Sequence, residues 1–386
     1  MSLRLAVLIH DYCPRVGGAQ ALLRAQAPPL QELGADVTIL TRRFPGTAPF
    51  ELVDGIPVHR LPAPPPRLLA SLAFTISSLA FLRRLRPDVI HANEFISPAT
   101  VALLANRLLG TPIVVTPHRS GPIGDVSRLQ QRSSGRARLG ALRDQADAFV
   151  VISREIGDEL RGIGVPPQKM RYINNGVDTC RFAPLNAASR QALRRTIGIA
   201  ADALTVIFAG RLVREKRLDN LLTLWPSIRA ACPRAELLLL GTGDQEADLR
   251  KSVSEGVRFL GRQGNVVSFL QAADIFVLPS SAEGLSIAML EAMSCGLAPV
   301  VTRVGGSSEV IADGENGLLI RPDDVPALQN ALIRLLRDAD LRTRLGLGAR
   351  RRIEESYSVE KSAKELFSLY TEVVSAAGHS STRRGP

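Results

Sequence analysis

Thr205-Val206-Ile207-Phe208-Ala209-Gly210-Arg211-Leu212-Val213-Arg214-Glu215-Lys216-Arg217 decides how the chain is read. A short β-branched and aromatic run, 205–209, ends at a glycine; a charged loop follows, and then a helical pattern. That order is one strand-to-helix unit. Runs of the same kind recur along the whole chain. They predict strands at 5–9, 37–41, 58–61, 88–91, 113–116 and 149–152, and again at 205–209, 236–240, 275–278, 299–302 and 317–320. The runs are largely apolar rather than alternating, as strands covered on both faces must be. Helical patterns separate them, so the fold class is α/β with parallel sheets.

At 386 residues there is length for two domains, each with its own core. The turn Asn174-Asn175-Gly176-Val177-Asp178 and the interruption at Pro184 place the boundary in the 180s. The expected domains are 1–182 and 183–358. A last helix over 359–378 returns to the first domain, and 379–386 is a flexible tail. The proline pair Pro28-Pro29 is expected to kink the first long helix.

Composition is globular, 45% apolar and 22% charged. The first apolar run is too short for a signal-peptide core. The longest uncharged run, between Arg67 and Arg83, falls short of the ~20 residues that span a bilayer. The expected location is therefore cytoplasmic, at most peripheral on the inner face of a membrane. The net charge of +11 is uneven: 1–182 hold 22 basic against 14 acidic residues, the remainder 26 against 23. With 4% aromatics and no recognised binding motif, no nucleic-acid partner is expected. Cys13, Cys180, Cys232 and Cys295 are scattered without metal or redox spacing, and are expected as single buried thiols.

Four segments carry chemistry. Gly17-Gly18 closes the first strand before a helix, where backbone N–H groups can approach an anion; a tight turn without a ligand reads equally well. Arg211 and Lys216 stand past the second domain's first strand, at the edge where parallel sheets gather ligands. Together they can meet a diphosphate, one as a fork and one as a point charge. Glu283-Gly284-Leu285-Ser286 opens the helix that carries Glu291. Eight residues of helix would be ~12 Å of rise, too far for a hydrolase-type carboxylate pair. The spacing suits one carboxylate at a sugar and the other at a distant part of the same ligand, with phosphate at the helix start. His91 and His118 each end a first-domain strand, at the same edge, and can bond a hydroxyl or relay a proton.

Taken together these segments resemble the family-4 retaining glycosyltransferases of GT-B fold, also called glycosyl transferases group 1. The resemblance runs over nearly the whole chain. Its most specific parts are Gly210-Arg211-Leu212 with Glu215-Lys216, and Glu283-Gly284-Leu285 with Glu291-Ala292-Met293. Asp88-Val89-Ile90-His91, Asn175-Gly176-Val177-Asp178, Ala273-Asp274 and Gly305-Gly306 with Glu309 support it.

The resemblance implies two Rossmann-like domains facing across a cleft, and a nucleoside-diphosphate sugar, with uridine more expected than guanosine, as co-substrate. It implies Arg211, Lys216, Gly17 and Gly18 at the diphosphate, with Gly284, Leu285 and Ser286 at the donor. Glu283 would lie at the transferred sugar, Glu291 at the donor ribose and His118 beside the reacting carbon. Configuration is retained, with no cofactor and no active-site metal. The acceptor would be a glycan, glycolipid or small-molecule hydroxyl. Asn93, Arg119 and Arg217 depart from the family's pattern: a second histidine often stands at the first position, a small residue at the second and glycine at the third. Two other readings stay open: a nucleotide-sugar epimerase on the same architecture, and a non-catalytic nucleotide-sugar binding module. Two features bear on the acceptor. The apolar segment 68–82 reads as a buried helix covering the sheet. The segment 119–143, with six arginines against Asp125 alone, could reach an anionic lipid headgroup.

Overall fold

The computed structural model describes residues 2–15 and 17–382, with side-chain surroundings described through 378. The chain divides into two compact units, Met1–Gly176 with Val359–Pro386, and Val177–Ser358. The change of unit thus falls at Gly176, six residues before the boundary read from Pro184.

The first unit runs β1 (Leu3–Leu8), α1 (Gly18–Glu32), β2 (Ala35–Arg42), β3 (Phe50–Val53), β4 (Ile56–Leu61), α2 (Arg67–Leu85), β5 (Val89–Ala92), α3 (Ser97–Leu109), β6 (Ile113–Val115), α4 (Asp125–Gln130), α5 (Gly135–Gln145), β7 (Ala148–Val151), α6 (Arg154–Gly162) and β8 (Met170–Tyr172). Among the described residues its sheet has eight strands in the order β3-β4-β2-β1-β5-β6-β7-β8. All neighbours are parallel except β3 with β4. Leu5 lies opposite Val37 on one side and Val89 on the other. Chain order therefore reverses at β1, and the crevice beyond the carboxyl ends of β1 and β5 is where such sheets bind ligands. Helix α1 continues through Pro28 and Pro29, giving up the two backbone donors that proline lacks.

The second unit runs α7 (Ala187–Thr196), β9 (Leu204–Ala209), α8 (Leu218–Ala231), β10 (Ala235–Leu240), α9 (Glu246–Leu249), β11 (Val257–Gly261), α10 (Val266–Ala272), β12 (Ile275–Leu278), α11 (Ile287–Ser294), β13 (Ala298–Thr302), α12 (Ser307–Val310), β14 (Leu318–Ile320), α13 (Val325–Arg337) and α14 (Ala339–Ser356). Its described strands form one parallel sheet, β11-β10-β9-β12-β13-β14. Consecutive residues Val206, Ile207 and Phe208, and Leu237, Leu238 and Leu239, are fully buried, which requires cover on both faces. Chain order reverses at β9, so the loops after β9 and β12 leave the sheet side by side.

The last helix, α15 (Val359–Thr382), belongs to the first unit and packs on α1 and β5. Gln26 Nε2 donates to Ser362 Oγ at 2.7 Å in a buried contact. The helix continues four residues into the stretch read as a flexible tail, and 383–386 lie outside the described residues.

Two expectations are corrected, and one acidic tripeptide is given its place. Helix α2 buries Ala70, Phe74, Ser78 and Leu82, spaced by four, but leaves Leu68, Leu69, Leu72 and Ile76 exposed, so it covers the sheet with one face only. Of the thiols, Cys232 and Cys295 are buried, Cys13 is half-buried and Cys180 exposed. The sequence's one Asp-x-Asp tripeptide, Asp338-Ala339-Asp340, is a helix start: Asp338 accepts from Leu341 N at 2.8 Å and caps α14.

Candidate active site

In the second unit the loop after β9 is clamped by the loop after β10. Leu212 N donates to Thr242 O at 3.0 Å, and Gln245 N donates to Leu212 O at 3.0 Å. Gly241 has φ +128°, and a Cβ there would stand 1.8 Å from the Gly210 carbonyl oxygen, so only glycine fits. The sequence reading missed this Gly241-Thr242-Gly243 loop. Its signal was a Gly-x-Gly directly after an apolar run.

Held in this way, the β9 loop makes a 3₁₀ turn over Arg214–Lys216, which ends at Arg217 in the left-handed region, φ +51°. That conformation is why glycine suits this position. Arg217 is tied outward to Asp323 at 2.6 Å. The turn aims Lys216 at the β12 loop, where its Nζ is ion-paired with Glu283 Oε1. Ser280 Oγ donates to the same oxygen at 2.6 Å. The Lys216 and Glu283 side chains are only 15% and 11% exposed, so this pair is shielded well beyond an ordinary surface ion pair. Backbone bonding joins the loops as well, Ser281 N to Glu215 O at 2.8 Å. Arg211 extends from the same loop, half exposed, with Glu215 at 3.8 Å.

The Glu283-Gly284 segment is locked from the β13 side. Gly306 N donates to Gly284 O at 2.6 Å. Gly305, at φ +53°, lies so close that a Cβ would come within 2.4 Å of the Glu283 and Gly284 carbonyl oxygens. Leu285 is buried and Ser286 caps α11, its hydroxyl accepting from Met289 N at 3.3 Å. Glu291 lies within α11, half-buried, its carboxyl pushed up to about 7 by burial, with Arg181 pulling the other way. Because α11 starts only at Ile287, the separation of Glu283 from Glu291 is set largely by the loop; a helical rise does not describe it. Asp274, at the start of β12, gathers Arg190 at 2.7 Å, Arg194 at 3.3 Å and Thr205 N at 2.8 Å. Its part is to fix α7 and β9, not to meet a ligand.

In the first unit, His118 lies just past β6. Its backbone N–H donates to Asp125 Oδ2 at 2.9 Å, and its ring Nε2 is 2.8 Å from Asn93 Oδ1. With the amide oxygen as acceptor, Nε2 carries the proton. Burial, and then Arg119, lower the imidazole to about 4, so it is neutral at pH 7. The position where a second histidine was looked for, Asn93, thus serves to orient His118. His91 does not share the edge: its Nδ1 meets Tyr370 OH and its Nε2 meets Thr116 Oγ1, each at 2.7 Å. It is a core histidine, lowered to about 3 by burial. Gly17 precedes α1, which begins at Gly18, and the Gly17 N–H donates to Gln20 Oε1 at 3.0 Å. That amide is therefore already engaged within the turn.

Each unit thus carries a sheet whose strand order reverses, and the second places a lysine–glutamate pair at its reversal, where such sheets bind ligands. Comparison with known proteins gives the family. The model of Glycosyl transferases group 1 matches residues 203–338, and that of Glycosyltransferase Family 4 matches 16–181. D-inositol 3-phosphate glycosyltransferase of Corynebacterium urealyticum is 31% identical over 92% of this chain and 90% of its own. The GDP-mannose-dependent monoacylated alpha-(1-6)-phosphatidylinositol monomannoside mannosyltransferase of Corynebacterium glutamicum is 27% identical over 95% of this chain and 98% of its own. Among solved structures, HepE of Anabaena in complex with UDP-glucose superposes with a TM-score of 0.80 at 20% identity, covering 97% of this chain and 100% of that one. The chain belongs to the family-4 glycosyltransferases, with the GT-B fold.

Proposed function

We propose that this glycosyltransferase takes a sugar from a UDP-sugar and joins it, with retention of configuration and without an active-site metal, to a hydroxyl of a glycan, lipid-linked or small-molecule acceptor. One observation carries the reading: Lys216, Glu283 and Ser280 meet at the carboxyl ends of β9 and β12, where the second sheet reverses. An ammonium has three N–H donors, so Lys216 can keep Glu283 in place while turning the others to a diphosphate. Arg211, more exposed and on the same loop, adds a planar fork. Glu283, with its position fixed by the glycine contacts beneath it, accepts from hydroxyls of the transferred sugar. Glu291 accepts from the ribose, with Gly284, Leu285 and Ser286 lining the donor between them.

The chemical work is then stabilisation of the leaving group: Lys216 and Arg211 answer the charge that grows on the departing diphosphate. A departing phosphate oxygen takes the acceptor's proton on the same face, so no protein base is needed. His118, neutral at pH 7, bonds a sugar hydroxyl rather than supplying a charge, and in the Gly17–Gly18 turn, where Gln20 already engages the Gly17 N–H, the Gly18 N–H is the first unit's candidate for the phosphates. Uridine is supported by the UDP-glucose complex of the structural neighbour, although the mannosyltransferase relative is named for GDP-mannose. The test is a panel of UDP-glucose, UDP-galactose, UDP-N-acetylglucosamine and GDP-mannose, scored for slow hydrolysis by release of nucleoside diphosphate. Release of UDP from at least one donor, lost in Lys216→Ala, is expected; release of GDP alone refutes the uridine assignment.

A further inference from the structure

Six of the ten large apolar side chains exposed among the described residues lie on two adjoining elements of the first unit: Phe50 and Leu52 on β3, and Leu68, Leu69, Leu72 and Ile76 on α2. Leu68, Leu72 and Ile76 recur every four residues and form one stripe, which Ala80 and Arg84 continue. The opposite stripe of α2 is buried in its own domain, where the helix packs on α3 and β4. Two ring contacts join helix to strand: Phe81 and His59 at 4.4 Å between centroids, and His59 and Phe50 at 4.9 Å. The patch is therefore continuous from the edge strand onto the helix. Exposed apolar side chains gathered on adjoining elements in this way mark an interaction site.

We propose that this face of α2 and β3 docks on an anionic lipid bilayer, the helix lying in the interface rather than crossing it. By length and composition α2 would pass for a membrane span, but Phe74 and Leu82 are fully buried against the domain and keep it there. Charge selects the occupant. Arg67 stands at one end of the helix, Arg83, Arg84 and Arg86 at the other, all exposed, and no acidic residue occurs between Leu61 and Pro87. On β3 and its turn, Glu51 is bound by Arg60 at 2.7 Å and Asp54 by Arg24 at 2.5 Å. An apolar stripe flanked by arginines matches acyl chains beneath phosphate headgroups. A second copy of this chain fits worse, because two-fold pairing of α2 would set arginines against arginines with no carboxylate on the helix to answer them.

The proposal is independent of the donor reading, and the test separates them. The full chain is sedimented with phosphatidylcholine vesicles, and with vesicles that also hold phosphatidylglycerol, at low and high salt. Binding to the anionic vesicles, weakened by salt, is expected. Arg83→Ser with Arg84→Ser should weaken partitioning roughly 25-fold, about fivefold per arginine near the surface. Leu72→Glu with Ile76→Glu should abolish it. Both double variants change exposed positions outside the donor loops, so melting temperature and donor hydrolysis should be unchanged. Wild-type protein left in the supernatant overturns the proposal, as does undiminished binding by Leu72→Glu/Ile76→Glu. Size-exclusion showing a dimer that the same variant dissociates assigns the face to a second copy and overturns it too.

Discussion

Replacing Lys216 with methionine keeps the aliphatic stem and removes the charge, and so separates what the ion pair does for the fold from what it does for the reaction. An exposed pair is worth about 0–1 kcal/mol, whereas breaking a fully buried one costs about 3–5. With 15% and 11% of the two side chains exposed, and Ser280 still donating to Glu283, the loss of unfolding free energy should be roughly 1–3 kcal/mol. The reaction should suffer more. A charge-assisted contact that tightens on a departing oxyanion is worth ~2.7–4 kcal/mol, or about 10²–10³ in kcat/KM. Urea denaturation reads the first quantity; nucleoside diphosphate release at subsaturating donor reads the second. The double variant Lys216→Met/Glu283→Gln removes both charges and should recover most of the stability while turnover stays low. If the double variant instead recovers turnover, Lys216 serves only to neutralise Glu283, and its assignment to the diphosphate fails. Near-normal turnover by Lys216→Met alone would have the same force.

Other expectations concern neighbouring groups. Glu291, with its carboxyl at about 7, gains a proton as pH falls from 8 to 6; if the ionised form accepts from the ribose, the Kd for a UDP-sugar should rise about tenfold over that range. Isothermal titration with Glu291→Gln should show a flat profile, and a flat profile in the wild type would remove Glu291 from the ribose. Asp274→Ala leaves Arg190 and Arg194 without their shared carboxylate and should cost about 2–4 kcal/mol in urea denaturation with donor Kd nearly unchanged; a large loss of donor affinity at unchanged stability would contradict its structural part. Activity should survive a strong chelator, and abolition restored by a single metal would show the leaving group to be stabilised by that metal.

The central strands of both sheets were legible because burial on both faces writes them as short apolar runs, 37–41 or 236–240. The strands that went unread, β3, β8 and β11, are each at a sheet edge, where one side lacks a neighbour and the residues, as in Phe50-Glu51-Leu52-Val53, show no such run. The loops holding Lys216 and Glu283 could be placed from their position after strands. Their ion pair could not, since 67 residues separate the partners and only the β9–β12 adjacency brings them together. Asn93 looked like a missing histidine in sequence; in the fold it holds His118. The exposure of α2 was hidden for a simpler reason. Its apolar residues occupy both faces, so the pattern carries no sign of which one faces the sheet.

Stereochemistry tests the central claim most directly, because it reports the path of the reaction. If a departing phosphate oxygen deprotonates the acceptor on the face it leaves, the new bond must keep the donor's configuration, with His118 and Glu283 orienting the sugar and neither becoming attached to it. Proton NMR of the transfer product from an α-linked UDP-sugar, read through the anomeric coupling, should show the α linkage. A β product would contradict retention and require a protein base on the opposite face of the sugar.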